Sequence, residues 1–477
     1  MKSCPVSSLK FGTSGLRGLV MELAGLPTYA YARAFCAMLL EDTASGPRGE
    51  VLIGRDLRSS SPLIAAQCSQ AVADAGLVPV DCGAVPTPAL AHSAMAEGKP
   101  AIMVTGSHIP DDRNGLKFYR ASGEIDKADE VRILAQHRAL ALTTAPKISV
   151  ALRSRDVLTS YRARYVDFFG RALEGLTIGV YQHSSVGRDI ICEVLAALGA
   201  TPVSLGRSNV FIPVDTEALR PEDEVLARRW AGERKLDAIV STDGDADRPL
   251  VANEAGRFLR GDLVGALTAR FLGADAIVTP VTSNSALDRP GLFETVVRTR
   301  VGSPYVIAGM AEAKVAGADT IIGFEANGGV LLGSDVTRDE KRLSALPTRD
   351  ALTPILATLA LAHGAGKRLS TLAAEARFAI ALSNRLQDVP QDRTAALITR
   401  LDVEDSSFRE TAFAAHGGVT ARDRRDGLRL TLGNGATVHF RASGNAPELR
   451  VYVEAPTQEA AEALLAENLA FAAAQTR

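Results

Sequence analysis

AIMVTGSHIPDDRNGLKFY (residues 101–119) begins as an apolar run and changes character at Thr105. Ala, Ile, Met and Val have the make-up of a buried strand, and Thr-Gly-Ser-His cannot extend it into a core. Thr-Gly-Ser after a strand is commonly a turn or a helix cap. Ser107 has unusual neighbours, however. His108 and Lys117 can both transfer protons, and Asn114-Gly115 reads as a turn that returns Lys117 towards the serine. A serine hydroxyl is a weak nucleophile unless a base or a metal helps it.

The same design recurs along the chain. Strand-like runs VLIGRD (51–56), LTIGVY (176–181), DAIVST (237–242), DAIVTP (275–280) and DTIIGF (319–324) alternate with helical stretches such as SPLIAAQCSQAVADAG (61–76) and GRDIICEVLAALGA (187–200). That alternation predicts α/β layers with parallel or mixed sheets, with ligands beyond the carboxyl ends of the strands. Three runs end in Gly-containing loops: TGSHIP, STDGDADRP and GFEANGG. The spacing suits one loop per domain-sized unit, all facing one cleft.

The end of the chain differs. GLRLTLGNGATVHFRASGNAPELRVYVEA (427–455) alternates apolar and polar residues around a Gly-Asn-Gly hairpin, and 456–474 reads as an amphipathic helix. This predicts an α+β domain, with 373–387 as the connection into it. The expected units are residues 1–150, 151–254, 255–372 and 373–477.

The chain has 477 residues, too many for one core. Lys+Arg 53 against Asp+Glu 55 gives a formal charge of -2, no basis for binding nucleic acid or an anionic membrane. Five scattered cysteines without a C-x-x-C pair read as reduced thiols. MKSCPVSSLKFGTSG lacks the apolar core of a signal peptide, and no run is long enough to span a membrane. A cytoplasmic protein is expected.

Asp243-Gly-Asp245-Ala-Asp247-Arg248 places three carboxylates at alternate positions after a strand, an arrangement suited to a hard cation such as Mg2+. Three like charges need a cation or an arginine to balance them. An EF-hand is excluded, because Arg248 stands where its glycine belongs and the preceding run is β-like. FGTSGLRG (11–18) presents Arg17 from a tight loop. RASGNAP (441–447) offers Arg441, Ser443, Gly444 and Asn445 as a phosphate cradle. Glu325 and Asn327 of EANGG suit paired sugar hydroxyls.

Taken in order over the whole chain, these five motifs resemble those of the α-D-phosphohexomutase superfamily. The resemblance implies three similar α/β domains with mixed sheets and a C-terminal α+β domain, four domains around a central cleft. It implies that Ser107 carries the phosphoryl group and that Asp243, Asp245 and Asp247 bind Mg2+ with it. Arg17, His108, Lys117 and Arg248 would stabilise the group in transit and relay protons. Glu325 and Asn327 would hold the sugar's 3- and 4-hydroxyls, Ser303 would lie in the specificity loop, and Arg441, Ser443, Gly444 and Asn445 would clamp the distal phosphate. The implied reaction interconverts hexose 1-phosphate and hexose 6-phosphate through a hexose 1,6-bisphosphate.

FGTSGLRG is more like the mannose- and glucose-phosphate members than the FGTDGIRG-like start of the phosphoglucosamine members, so mannose, and glucose with it, is the expected substrate. Ile109, Asn327 and Ser303 depart from common family residues, and Arg450 is a candidate to compensate for the Gly-Asn-Ala of the phosphate loop. The alternatives are a phosphoglucosamine or N-acetylglucosamine-phosphate mutase, a Mg2+-dependent phosphatase using Asp243 and Asp245, and a non-catalytic sugar-phosphate-binding protein. Oligomeric state is not legible.

Overall fold

The computed structural model describes residues 7–12, 15–42, 49–404, 406–443 and 447–476. The run Ala101–Val104 is a buried strand in a mixed sheet of eight. It pairs in parallel with Glu50–Arg55 and antiparallel with Arg113–Arg120, whose far edge pairs antiparallel with Leu16–Leu19. In the second sheet Thr201–Leu205, Thr177–Tyr181 and Ala238–Thr242 are parallel, and Pro249–Ala252 returns antiparallel. In the third, Thr295–Thr299, Ala276–Pro280 and Ile321–Phe324 are parallel, and Val330–Leu332 returns antiparallel.

One device therefore occurs three times. The last parallel strand ends, a short loop reverses the chain, and the next strand runs back beside it. The loops are 105–112, 243–248 and 325–329, the three that carry chemistry-bearing residues.

The first of these reversals corrects one expectation. Asn114-Gly115 is not a turn; it lies inside the strand Arg113–Arg120. The Asn114 amide donates to Ser60 and Ser61 Oγ at 2.8 and 2.9 Å, so it cannot stabilise a turn of its own. Gly115 is required for contact instead: a Cβ there would sit 2.4 Å from the Leu16 carbonyl oxygen. Lys117 returns beside Met103 and its Nζ reaches Asp245 and Asp247 rather than Ser107 itself, and the loop 105–112 makes the reversal.

The fourth sheet is antiparallel throughout, in the order Ile380–Leu386, Leu449–Ala455, Thr437–Ala442, Leu428–Leu432, Val419–Asp423. Gly433–Gly435 forms the expected hairpin, closed by Leu432 N–H to Ala436 O at 2.8 Å. The helix Gln458–Gln475 packs on this sheet, and segment 373–387 supplies the sheet's first strand. No helix among the described residues is long and apolar enough to cross a membrane.

One hydrophobic core runs through the first three sheets, joining Met103 and Tyr119 to Ile178, Val240, Ile277 and Phe324. The fourth sheet has its own, built on Leu428, Val438, Phe440, Val451 and Leu464. Each such side chain contributes roughly 1.5–3 kcal/mol when fully buried. Polar contacts join the fourth unit to the third. Asn284 Nδ2 donates to Ala379 O at 2.8 Å, Arg300 Nε to Arg425 O at 3.1 Å, and Val301 N–H to Asp426 Oδ2 at 3.0 Å.

Candidate active site

Ser107 sits in the left-handed region with φ 55°, an uncommon conformation for a side-chain-bearing residue that surrounding contacts must enforce. Arg58 enforces it. Its guanidinium donates to the carbonyl oxygens of Ser107 (2.9 Å), Ile109 (2.6 Å), Pro110 (2.7 Å) and Arg113 (3.1 Å), and to Asp56 Oδ2 at 3.1 Å. All five N–H groups of the side chain are thus used at this one sheet edge. Gly106 is needed because a Cβ would lie 2.7 Å from Arg58 Cζ. Arg58 also stacks on Phe211 of the second unit, 3.9 Å from the ring centre. Sequence reading missed Arg58 and Asp56. Their one signal is that GRD ends a strand neighbouring the serine strand, so its loop must fall at the same sheet edge.

The Ser107 hydroxyl donates to Asp243 Oδ2 at 2.6 Å, joining the first loop to the second. Asp243, Asp245 and Asp247 each offer an oxygen within 4.8 Å of the others. Ala246 between them is left-handed at φ 59°, and a Cβ on Gly244 would lie 2.8 Å from the Ser107 carbonyl oxygen, so this glycine permits the two loops to touch. Lys117 Nζ donates to Asp245 Oδ2 (2.7 Å) and Asp247 Oδ2 (2.6 Å), and Thr87 Oγ1 to Asp245 Oδ2 (2.6 Å). The opposite oxygens, Asp245 Oδ1 and Asp247 Oδ1, are buried with no hydrogen-bond partner. Unpaired buried acceptors are costly. Two of them converging beside the Ser107–Asp243 pair fit a hard, oxygen-liganded cation.

A cleft of about 540 Å³ leads from this cluster to the fourth unit. Arg17, Arg248, Arg349, Arg385, Arg441 and Arg450 line it against Asp215, Glu217 and Glu325, so it is strongly cationic. His108 Nδ1 accepts from Arg248 Nη1 at 2.9 Å and lies 3.2 Å from Ser107 Oγ. In the loop 325–329, Asn327 Oδ1 accepts from Gly329 N–H at 3.0 Å and shapes the turn, and both Glu325 and Asn327 line the cleft. Arg349, also missed from sequence, donates to both Asp247 and Glu325. Ser303 departs from expectation. It is buried in the first turn of the helix Ser303–Val315 and donates to Glu124 Oε2 at 3.0 Å, while Val301 and Gly302 line the cleft.

At the far end, Arg441, Arg450 and Arg385 lie directly opposite one another on three neighbouring strands. Arg441 Nε is 2.9 Å from Asp426 Oδ2, a close ion pair not aligned as a hydrogen bond. Ser443 also lines the cleft. Gly444 and Asn445 lie outside the described residues.

Burial, with Arg248 and Arg17 nearby, holds the His108 imidazole well below its ordinary range, so it is neutral. Burial and the neighbouring Arg248 and Arg349 lower Arg17 to about 10. Burial and the other two carboxylates push Asp243 well up. Burial acts the same way on Asp247, but Arg349, Lys117 and Arg248 outweigh it and hold that carboxyl well below its usual range. Burial opposes the charge on Lys117, and Asp245 and Asp247 more than restore it.

Comparisons with known proteins identify the family and the fold. Residues 8–143 match phosphoglucomutase/phosphomannomutase alpha/beta/alpha domain I, 260–378 match domain III, and 398–470 match the C-terminal domain. The chain is 50% identical to a phosphomannomutase of Sinorhizobium fredii, over 97% of this chain and 98% of that one. It is 43% identical to a phosphomannomutase of Salmonella muenchen, over 95% and 93%. Among solved structures, a putative phosphomannomutase from Thermus thermophilus superposes with a TM-score of 0.75 at 25% identity, covering 98% of this chain and 99% of that one. Three family domains matched in chain order, and half of all residues shared over nearly the full length, establish that this chain belongs to the phosphoglucomutase/phosphomannomutase family of the α-D-phosphohexomutase superfamily.

Proposed function

We propose that the chain is a cytoplasmic hexose phosphate mutase that acts on mannose phosphates, and on glucose phosphates as well, through a phosphorylated Ser107. The observation that carries this reading is the Ser107 hydroxyl held 2.6 Å from Asp243 and 3.2 Å from His108, which lines a cleft with six arginines and three carboxylates. Phosphoserine gives its phosphoryl to the free hydroxyl of a hexose 1- or 6-phosphate: the P–O bond to Ser107 breaks and one to the sugar forms. The bisphosphate turns around in the cleft, and its other phosphate returns to Ser107.

Phosphoryl transfer needs positioning and charge stabilisation more than covalent help. Arg17 and Arg248 supply positive charge near the reacting oxygens. His108, held neutral with Nδ1 engaged by Arg248, stands 3.2 Å from the Ser107 hydroxyl and orients the reacting oxygens; Lys117, held charged, balances the carboxylates. Mg2+, when bound by Asp243, Asp245 and Asp247, would neutralise charge on the phosphoryl oxygens. Glu325 accepts hydrogen bonds from sugar hydroxyls. Arg441, Ser443 and Arg450 hold the phosphate that is not reacting, which supplies binding energy remote from the chemistry.

The preference for mannose is supported by the identities: relatives named phosphomannomutase stand at 43% and 50%, whereas the phosphoglucosamine mutases of Symbiobacterium thermophilum and Sorangium cellulosum stand at 28% and 30%. Contacts to the 3- and 4-hydroxyls do not distinguish mannose from glucose, which differ at C2, so dual activity follows. A coupled assay across mannose, glucose, glucosamine and N-acetylglucosamine 1-phosphates, with a hexose 1,6-bisphosphate present, tests the substrate. Ser107→Ala is expected to lower turnover at least about 10³-fold, and mass spectrometry to find phosphate on Ser107 of the native enzyme. Unchanged turnover of Ser107→Ala, or an acid-labile acyl phosphate on Asp243, would refute the mechanism.

A further inference from the structure

Arg349 is the penultimate residue of the strand Leu346–Asp350, in a stretch (LPTRDALTP) that carries no recognisable motif. It is 2% exposed, yet its side chain lines the cleft. Nε and Nη2 donate to Asp247 Oδ2 at 3.1 and 3.0 Å, and Nη1 donates to Glu325 Oε2 at 3.0 Å. One guanidinium thus bridges the carboxylate loop and the sugar loop.

Two features hold it there. Asp350, the next residue, accepts from Tyr161 OH (2.6 Å), Tyr165 OH and Leu352 N–H (3.0 Å), which pins the strand end. Gly329 provides the room: a Cβ there would lie 2.7 Å from Arg349 Cδ, 3.0 Å from its Cγ and 3.1 Å from the Asp247 carbonyl oxygen. Asp247 is the fixed end of the bridge, because Lys117 also holds it. Glu325 is the end that must meet a ligand.

We propose that Arg349 is a positioning residue for sugar recognition: anchored on Asp247, it fixes the Glu325 carboxylate for the sugar hydroxyls, and Gly329 is required to admit it. This rests on the reading of Glu325 as the sugar ligand. A guanidinium fork donates to two carboxylates from separate nitrogens in one rigid plane and so fixes their relative orientation, whereas an ammonium is a rotating point donor.

The test is calorimetric binding of mannose 1-phosphate to the full-length protein, which reads sugar affinity whether or not the mutase mechanism holds. Arg349→Met is expected to weaken binding about 10–100-fold, the range for losing charged hydrogen bonds. Arg349→Lys should regain the unfolding midpoint but not the affinity. Gly329→Ala, which leaves every charge in place, should weaken binding in the same direction. The double variant Arg349→Met/Glu325→Gln should bind no worse than Glu325→Gln alone. Additive losses in the double variant, full affinity in Arg349→Lys, or a larger loss in Mg2+ affinity (read from the Mg2+-dependent unfolding midpoint) than in sugar affinity would each overturn the proposal. If Arg349→Met does not fold, Gly329→Ala and Arg349→Lys decide the matter.

Discussion

The two ends of the cleft are built on opposite principles. At the serine end, two buried acceptors, Asp245 Oδ1 and Asp247 Oδ1, have no hydrogen-bond partner among the described residues; Arg248 Nε, also without one, lies 3.7 Å from Asp247 Oδ1. At the far end, buried donors lack an aligned hydrogen bond: Arg441 Nε, whose ion pair with Asp426 is off-line, and Arg450 Nε. The first deficit suits a cation and the second an anion, so each end is incomplete in the sense its ligand would correct. Packing differs in the same way. The serine end stands on a hydrophobic core shared by three sheets, and its loops touch through glycines too close for a side chain. The far end belongs to a unit with its own core, joined to the third unit by polar contacts such as Val301 N–H to Asp426. A reacting centre needs geometry fixed before substrate arrives, whereas a phosphate clamp on a separate unit can close on a ligand that must turn around inside.

The largest expected effect lies at the serine end. Lys117 is the cation that Asp245 and Asp247 share in a fully buried setting. Lys117→Met leaves Asp247 with Arg349 and Arg248 but takes from Asp245 its ion pair, and removing one partner of a buried pair costs about 3–5 kcal/mol. Chemical denaturation of the Mg2+-free protein should show that loss, and millimolar Mg2+ should stabilise the variant more than the wild type. A loss below about 1 kcal/mol, the range of a surface pair, would mean that Lys117 does not balance the cluster.

What sequence reveals of this contrast depends on whether the chemistry is local. Asp243, Asp245 and Asp247 are legible because their spacing along one loop is also their arrangement in space. Two Gly-Asn pairings show the limit. Gly433-Asn434-Gly435 turns as its residues prefer, and the Gly433 and Asn434 N–H groups point outward to the Gly418 and His416 carbonyls without disturbing the turn. Asn114-Gly115 does not turn, because the strand Leu16–Leu19 pairs with both residues on one side and Thr105 N–H donates to Gly115 O on the other. Arg58 and Arg349 were not legible: both act on loops remote in sequence, and GRDLRSS and LPTRDALTP resemble ordinary strand ends leading into helices. Ser303 was placed by its position in a loop, but the helix beginning there turns it away from the cleft towards Glu124. The division into α/β units and a terminal antiparallel unit was legible from periodicity. The reversal from parallel to antiparallel at each site loop was not, because the returning strands Arg113–Arg120, Pro249–Ala252 and Val330–Leu332 are buried on both faces like their parallel neighbours and so lack the alternation of a half-exposed antiparallel strand.

At the far end, effects should fall on binding rather than on folding. Arg441 faces the cleft, and its close ion pair with Asp426 is off-line. Arg441→Met should raise KM for a hexose phosphate about 10–100-fold, the equivalent of roughly 1.5–3 kcal/mol for a charged hydrogen bond, while the denaturation midpoint stays close to that of the wild type. A variant that unfolds readily but retains its KM would assign Arg441 a structural role and remove the contrast between the two ends.

The smallest effect is the most specific to the far end. Arg385, Arg450 and Arg441 stand in one cross-strand row, and like charges directly opposite each other destabilise a sheet. Glu448 lies 3.5 Å from Arg385 and 3.7 Å from Arg450, so one carboxylate is divided between two guanidiniums. Arg385→Thr should therefore stabilise the ligand-free protein, by about 0.2–1 kcal/mol, because Thr suits a strand and Glu448 is left to Arg450. The gain should shrink above about 0.1 M salt, where charges some 10 Å apart are largely screened. It should also reverse sign when mannose 1-phosphate saturates the cleft, since the row then has an anion to hold. Stabilisation equal at all salt concentrations would trace the effect to strand propensity alone, and the arginine row would then carry no stored repulsion for a phosphate to relieve.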